Sequence, residues 1–556
     1  MKMITRRLFL ITLLVALTTT LSWSKYDKAP TSVNYSRINK QAVREYLQPI
    51  RPGYEHHDTY WNTYAFKFIY APAFDFKKIP GAVKYRYTLV PDTEVKEKIS
   101  KKAVAIKNPS FAPVSFVADH PNSSLSPIWN KIPAAHVVLT VEGLDKNGKV
   151  IGEAGKRKFL RDFGFCGPYN NAVRPYREAA IKAMLCLHHT KEVKNWLDSS
   201  VPNMDYSHYT YAAKIISAVI RNESLVARYV PQERKTAIQI AESAANFLIS
   251  LSQPAGTPMA YFPPTYYKNL IASKRAENQG TAITMDANYA IHAFLDLYDV
   301  CGKKKYYEQA TNILRTYKKL QRPDGSFPIK IYLHNGQPTN ERNAMLHSIC
   351  VTCQRMLTQY QTTEFEDMKQ KAEKWMHDVA IRSFDMTGQF EDVSVNGVRP
   401  YENLTNCTAA PYAKYLLGKP HPTQEEIADA KDLLRLSEDQ FTYWDHLYNE
   451  WGFRRYNTPC VIEQYRYKTP VDNSAANVSG GFLEYYKETG DPLAYAKAKA
   501  LIDNFTIMQN AKNGFMPTTW DCSFSRTNEV SVWYNCFLSG ILRMLEMDAL
   551  QTTQKK

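Results

Sequence analysis

The chain is poor in cysteine, with nine in 556 residues, and the odd number leaves at least one unpaired; no disulfide-knot scaffold is built this way. It has no low-complexity tract, and with 44% hydrophobic residues this excludes a disordered or collagen-like chain. Beyond residue 24 it has no long apolar run, so no membrane span is expected in the mature chain. It also lacks a glycine-rich loop after a strand and any recognised nucleic-acid motif. Nucleotide chemistry, a cofactor and a nucleic-acid partner are therefore not expected. Cys350 and Cys353 lie one helical turn apart, but no second pair at zinc-ribbon spacing accompanies them, and no metal is expected.

What is present begins with a leader. Lys2, Arg6 and Arg7 precede the apolar run Leu8 to Leu17, which is followed by small residues to Ser24. This reads as a signal peptide over residues 1–24, too short in its apolar part to span a bilayer. No cysteine follows closely enough for lipid attachment, so a free exported protein is expected. Removing the three basic residues of the leader lowers the formal net charge from +16 to +13. So basic a protein steers polyanions, and for an exported chain an acidic polysaccharide is the better expectation than nucleic acid.

The mature chain has two textures. After a linker over 25–53, residues 54–165 read as strands, among them Tyr64–Tyr70, Lys84–Val90, Pro113–Val117 and His136–Glu142. Asn147-Gly148 between alternating runs predicts a hairpin. Five or more short strands in this length point to a small β-sandwich. Its Trp129-Asn-Lys-Ile-Pro133, followed by an alternating strand, resembles fibronectin type III modules.

From 173 to about 550 the pattern is helical and repeats. Glycine-bearing loops recur at Gly256, Gly325, Gly388, Gly452 and Gly514, at spacings of 69, 63, 64 and 62 residues. Between them the apolar periodicity fits two helices each time. The count is twelve: 175–195, 208–222, 232–251, 283–300, 303–320, 343–360, 364–382, 404–417, 423–441, 473–489, 491–509 and 528–547. Links within a pair are short and links between pairs are long, which puts the elaborate loops on one face. Six hairpins that each need two neighbours close into a ring, an (α/α)6 toroid with inner helices starting near 208, 283, 343, 404, 473 and 528. An open solenoid is the alternative.

The stretch Asp472-Asn-Ser-Ala-Ala-Asn477, followed by Gly480-Gly-Phe-Leu-Glu-Tyr-Tyr-Lys-Glu-Thr-Gly-Asp491, resembles the helix opening and Thr-Gly-Asp turn of the six-hairpin glycosidase-like group; Met285-Asp-Ala-Asn-Tyr289 is a looser copy. That group includes unsaturated glucuronyl hydrolases, glucoamylase-like enzymes, sugar epimerases and toroidal polysaccharide lyases. By architecture, a β-sandwich before such a toroid also resembles the β-glucuronidases of glycoside hydrolase family 154. The resemblance implies a funnel at the N-terminal ends of the inner helices, and a bacterial periplasmic or secreted location.

Candidate site residues follow from that placement. Glycoside hydrolysis needs two carboxyl groups across the scissile bond, roughly 5–5.5 Å apart for retention or 6.5–9.5 Å for inversion. Glu341 or Glu402 is expected as proton donor and Asp472 or Asp286 as its partner, because all four precede or begin inner helices; the structural alternative is helix capping for the aspartates and solvation for the glutamates. Other rim residues include Asn278, Asn403, Asp445, Glu463 and Asn473. Trp444, Trp451 and Trp520 are expected to offer stacking faces, with local packing as the competing role. Arg342, Arg454, Arg455 and Arg526 could hold carboxylates bidentately. His208, His446 and Tyr465 complete the substrate-binding candidates. The expected function is an exported glucuronidase-like glycoside hydrolase on uronic-acid-containing glycan. A lyase or uronyl epimerase using Tyr465, His446, His208 or Asn403 is the first alternative, and a non-catalytic glycan-binding protein the second.

Overall fold

The computed structural model describes residues 25–50, 61–99, 102–105, 108–268, 278–387, 399–445, 456–520 and 532–553. The leader, Gly388 and Gly452 lie outside them, and no helix among them is long and apolar enough to cross a membrane.

All twelve expected helices are present. After an N-terminal helix α1 (Tyr35–Tyr46) and the strands, they run α2 Tyr176–His188, α3 Ala212–Tyr229, α4 Arg234–Leu251, α5 Ala287–Cys301, α6 Lys304–Leu320, α7 His347–Tyr360, α8 Glu366–Trp375, α9 Ala409–Leu417, α10 Gln424–Phe441, α11 Asp472–Thr489, α12 Pro492–Met508 and α13 Tyr534–Thr552. Two burial patterns separate them. In α3 nearly every position from Ala212 to Ile220 is buried, whereas α6 buries Tyr306, Gln309, Ala310, Ile313, Leu314 and Tyr317 along one stripe. Helices of the first kind need protein on all sides and those of the second only on one.

The contacts close the ring. Each inner helix touches the next in the order α3, α5, α7, α9, α11, α13, and α13 returns to α3. The outer helices α4, α6, α8, α10 and α12 each pack on the inner helix that precedes them in the chain, and α2 lies against α13 and α3, bridging the two ends of the series. This is the toroid rather than the open solenoid. Short links are held by local chemistry: α11 ends on Gly490 at φ +74°, and Asp491 caps α12 by accepting from the Leu493 amide at 3.0 Å.

Two of the recurring glycines have a shared structural cause. Gly325 and Gly514 have φ of +90° and +81°, and a Cβ on them would come within 2.2 Å of the Lys371 carbonyl oxygen and 2.4 Å of the Lys182 carbonyl oxygen. Each is thus pressed against the backbone of the next outer helix. A glutamine reinforces both joints: Gln321 donates to the Met368 carbonyl and Gln509 to the Ala179 carbonyl. The same clip joins α6 to α8 and α12 to α2, so the final repeat fastens onto the first.

The N-terminal region meets the sandwich expectation in part. One five-stranded sheet is formed by β1 Lys67–Phe68, β2 Lys84–Pro91, β3 Val114–Ala118, β4 Ala135–Leu144 and β5 Val150–Arg161, in the order β1-β5-β4-β2-β3. Asn147-Gly148 makes the β4–β5 turn, with Asp145 Oδ1 accepting from the Asn147 and Lys149 amides. A separate two-stranded ladder pairs Lys96–Ile99 with Lys102–Ala105, and the aromatic face of the five-stranded sheet is covered by irregular chain. Trp61, Phe74, Ile128 and Trp129 supply its bulk, and Phe159 on the sheet lies 6.2 Å from Trp129 and 5.6 Å from Phe74. Residues 61–76 carry the apolar mass of a strand without its alternation, so apart from the two residues of β1 they pack as a layer without pairing.

The sheet region is joined to α10. Glu438 is fully buried and accepts from the Tyr46 and Tyr70 hydroxyls, the Trp444 indole and the Lys497 ammonium. Asp439 accepts from the Ile69 and Tyr70 amides, and Lys67 donates to the Asp439 and Thr442 carbonyls. A small cavity at this junction, between α1 and helices α10 to α12, is lined by Glu45, Arg435, Tyr485 and Asp491.

Candidate functional site

Six inner helices point their N-termini at the same side of the ring, each reached by a long loop from an outer helix. These loops are stitched by isolated antiparallel bridges: Thr405 with Gln464, Ile462 with Pro470, and Val471 with Thr519. Two carboxylates are fixed by this stitching. The Asn406 amide donates to the Glu463 carbonyl at 2.9 Å, and the Asp472 amide donates to the Thr518 carbonyl at 2.9 Å, so the segment carrying Glu463 and the first residue of α11 are both held by their backbones.

Asp472 is fully buried. Its Oδ1 accepts from the Asn473 amide at 2.7 Å, while Oδ2 has no hydrogen-bond partner. Burial pushes its carboxyl well above the usual carboxylate range, the Asn473 amide opposes this, and the charge of Glu463 adds to the rise. Glu463 is itself half-buried. Two carboxyl groups in unequal environments, one shifted towards its acid form by its surroundings, are what acid–base catalysis requires.

Around this pair the first turns of other inner helices converge. The Cys536 thiol of α13 is raised well above its ordinary range by burial, then by Asp472 and Glu463, while the Lys214 ammonium of α3 pulls the other way. The Cys407 thiol, just before α9, is raised by burial and Glu463 and lowered by Lys214. Tyr289 of α5 is 37% exposed, yet protein encloses it densely enough that burial pushes its hydroxyl up to about 12, against the pull of Lys214. Lys214, Tyr289, Cys407, Glu463, Asp472 and Cys536 are linked by these electrostatic influences, which gathers them at the N-terminal end of the ring, in the recess where Tyr289 meets solvent.

One wall is aromatic. His208 stacks on Trp533 with ring centroids 4.2 Å apart, Trp533 lies 5.1 Å from Tyr211, and Tyr206 stacks on Tyr534 at 4.1 Å. Further along the axis, towards the C-terminal ends of the inner helices, the lining is ionic: Arg221 pairs with Asp296 at 2.7 Å, Arg355 with Asp296 at 2.8 Å, and Lys414 with Glu546 at 2.6 Å. Bases there complement the negative ends of the helix dipoles, and the positive ends face the recess.

The sequence-derived candidates divide against this geometry. Asp472 is in the recess, and Asp286, buried at the start of α5, acts electrostatically on Tyr289. His208 sits on the aromatic wall. Glu402 is not set up as a proton donor: its carboxylate accepts from the Arg399 amide at 3.0 Å and the Arg466 guanidinium at 2.6 Å, which pull its carboxyl down to about 2. Glu341 is exposed and Arg342 half-buried on the loop before α7. Trp444, Trp520 and Tyr465, expected to face substrate, are interior packing instead. Trp444 is 1% exposed and lies 5.0 Å from Phe165, Trp520 is 1% exposed against Phe505, and the Tyr465 hydroxyl donates to Gln440. Trp451, His446, Arg454, Arg455 and Arg526 lie outside the described residues. Lys214, Tyr289, Cys407 and Cys536 were missed, and Glu463 was noted only as a rim residue. Their one sequence signal is position, since all but Glu463 lie within a turn of an inner-helix start.

Among the described residues no group of three or more His, Cys, Asp or Glu is arranged to hold a metal ion, and the eight cysteines there form no disulfide with one another.

No family model matches the chain, and no curated protein does. Solved structures that match include cellobiose 2-epimerase from Spirochaeta thermophila (10% identity, 67% of this chain and 99% of that one, TM-score 0.46). Others are a family 76 glycoside hydrolase from a bovine Bacteroides thetaiotaomicron strain (9%, 86% and 99%, 0.41) and an unsaturated glucuronyl hydrolase specific for heparin (10%, 68% and 99%, 0.42). The last is of a class the sequence resembles. All three TM-scores are below 0.5, and the toroid stands on the helix contacts of this chain.

Proposed function

We propose that the chain is an exported glycoside hydrolase acting on uronic-acid-containing glycan, glucuronidase-like, with Asp472 as proton donor and Glu463 as its carboxylate partner. The observation that carries this reading is the fully buried carboxyl of Asp472 with an unpartnered Oδ2 at the start of an inner helix, which burial and then the charge of Glu463 push up. In the reaction Asp472 gives its proton to the glycosidic oxygen as the bond to the anomeric carbon breaks. Glu463 either attacks that carbon or takes a proton from the water that does. The positive ends of six inner helices and the formal charge of +13 on the leader-free chain both favour an anionic sugar in the recess.

One observation favours a second reading. His347, the first residue of α7, is held by burial at about 4, neutral at physiological pH, and its Nδ1 has no hydrogen-bond partner. A neutral imidazole at an inner-helix start could abstract the proton α to a uronate carboxylate, as a lyase or epimerase requires.

Incubation with a panel of uronic-acid-containing polysaccharides, following released sugar together with absorbance of unsaturated uronate, separates the two. Free uronic acid without new absorbance, abolished in Asp472→Asn and Glu463→Gln, is the expected result. New absorbance that survives Asp472→Asn and disappears in His347→Ala would replace hydrolysis with elimination.

A further inference from the structure

Glu402 is not set up to donate a proton, but it organises a patch of the rim. From the loop before α9 its carboxylate accepts from the Arg399 amide at 3.0 Å, the Arg399 Nε at 3.4 Å and the Arg466 Nη2 at 2.6 Å. Two guanidinium groups thus share one carboxylate, and among the described residues it is the one acid that either pairs with. The Arg399 and Arg466 side chains are 71% and 42% exposed, against 20% for Glu402, so the carboxylate is the sheltered member and the cations face solvent. Both Nη groups of Arg399, and the Nε and Nη1 of Arg466, have no protein acceptor among the described residues.

The backbone fixes where this patch lies. Arg466 follows Glu463 by three residues, on the segment joined to the loop before α9 by the Thr405–Gln464 bridge and by the Arg466 amide, which donates to Asn403 at 2.9 Å. Three residues of chain span at most about 10 Å, so the paired guanidiniums border the segment of Glu463. Aromatic rings from the N-terminal layer support the patch. The Arg399 guanidinium lies 5.4 Å from the ring centroid of half-buried Tyr64, and the Lys468 ammonium 3.6 Å from that of half-buried Phe66. Between Arg466 and Lys468, Tyr467 is 43% exposed on a pinned segment: its amide donates to the Gln464 carbonyl at 3.2 Å, and the Lys468 carbonyl accepts from the Tyr456 hydroxyl at 2.7 Å.

Guanidinium N–H groups match carboxylates in shape and charge, and an exposed tyrosine offers a face to a pyranose ring. Two such cations side by side suit a ligand that carries carboxylates in series. We infer that this patch is an accessory subsite for an acidic polysaccharide, in which Arg399 and Arg466 hold uronate carboxylates further along a chain whose reacting sugar occupies the recess. The inference rests on the reading of the recess as a glycan site and assigns that site a polymer; it does not depend on how the bond is broken.

The test compares wild type, the double variant Arg399→Gln with Arg466→Gln, and Tyr467→Ala. Calorimetry reads their binding to two polyuronates, polygalacturonate and alginate, and to uncharged dextran. Wild type is expected to bind a polyuronate and not dextran, the double variant to bind it about tenfold more weakly and Tyr467→Ala about threefold more weakly. In turnover, KM for the polymer should rise by the same factors while the constants for 4-nitrophenyl glucuronide stay unchanged. Equal losses on polymer and small glycoside would overturn the inference, because a fold defect moves both alike. So would polyuronate affinity unchanged in the double variant, dextran binding that matches polyuronate binding, or no binding of either polyuronate by wild type. The binding arm needs no turnover: a protein that holds the polymer through these arginines without cleaving it would uphold the subsite and remove the hydrolase reading alone.

Discussion

Two buried carboxylates, one turn of chain architecture apart, behave as opposites. Glu438 near the end of α10 and Asp472 at the start of α11 are both 0% exposed. Glu438 receives four donors from the N-terminal region and neighbouring segments: Tyr46 and Tyr70 at 2.7 Å, Trp444 at 2.8 Å and Lys497 at 2.6 Å. Asp472 receives one backbone amide and leaves an oxygen bare. Burial alone therefore does not mark a functional acid. The completeness of its partners does, because a satisfied carboxylate has nothing left to offer a substrate and a half-satisfied one is a cost that stability alone would not retain.

The largest expected effect tests the unsatisfied side. Asp472→Asn should lower kcat/KM by about 10³-fold, about 4 kcal/mol, with the urea midpoint unchanged or raised, because an amide suits the buried position better than an acid does. Activity within tenfold of wild type would remove Asp472 from the chemistry. Close behind comes the satisfied side: Glu438→Leu strips the counter-charge from Lys497, itself 2% exposed, and should cost about 3–5 kcal/mol in urea unfolding. The folded fraction should retain its kcat. If the two variants exchanged phenotypes, the distinction between the carboxylates would collapse.

The toroid and the site were unequally legible. All twelve helices are visible as apolar periodicity, and the ring could be inferred because glycine loops recur; Gly325 and Gly514 show why, each jammed against the next outer helix. Asp472 was legible because it opens an inner helix. Lys214, Tyr289 and Cys536 were not, since they sit inside first turns, where a period-3.6 pattern assigns positions to packing and cannot tell the axis from the outer wall. Trp444, Trp520 and Tyr465 misled for the converse reason: the long loops fold back and bury their own aromatics. The sheet's second layer was hidden because irregular chain has no period.

A smaller effect probes the repeat itself. Gly325→Ala places a Cβ where the Lys371 carbonyl oxygen would lie 2.2 Å away, at a φ of +90° that alanine resists. It should cost about 1–3 kcal/mol in the same unfolding assay, comparable to overpacking elsewhere. A loss that small, beside that of Glu438→Leu, would rank the ring joints below the junction with the N-terminal sheet; a loss of the same size would make them equal partners.

The smallest effect separates satisfied carboxylates by pH. Burial pushes Asp439, at the sheet junction, up to about 6, whereas the Arg399 amide and the Arg466 guanidinium pull Glu402 down to about 2. Between pH 7 and pH 5 the native chain takes up the Asp439 proton while the unfolded chain, near 4, does not. Acidification over that window should therefore stabilise the fold by about 1 kcal/mol through this group, a gain that disappears in Asp439→Asn. Glu402 has the reverse sign: its contribution is fully present above the unfolded value near 4.5 and is lost only as pH falls through 2, so Glu402→Gln should leave the slope between pH 7 and pH 5 untouched. A slope that vanished in Glu402→Gln and persisted in Asp439→Asn would place the titrating carboxylate on the rim and not in the junction, reversing the contrast between the two regions.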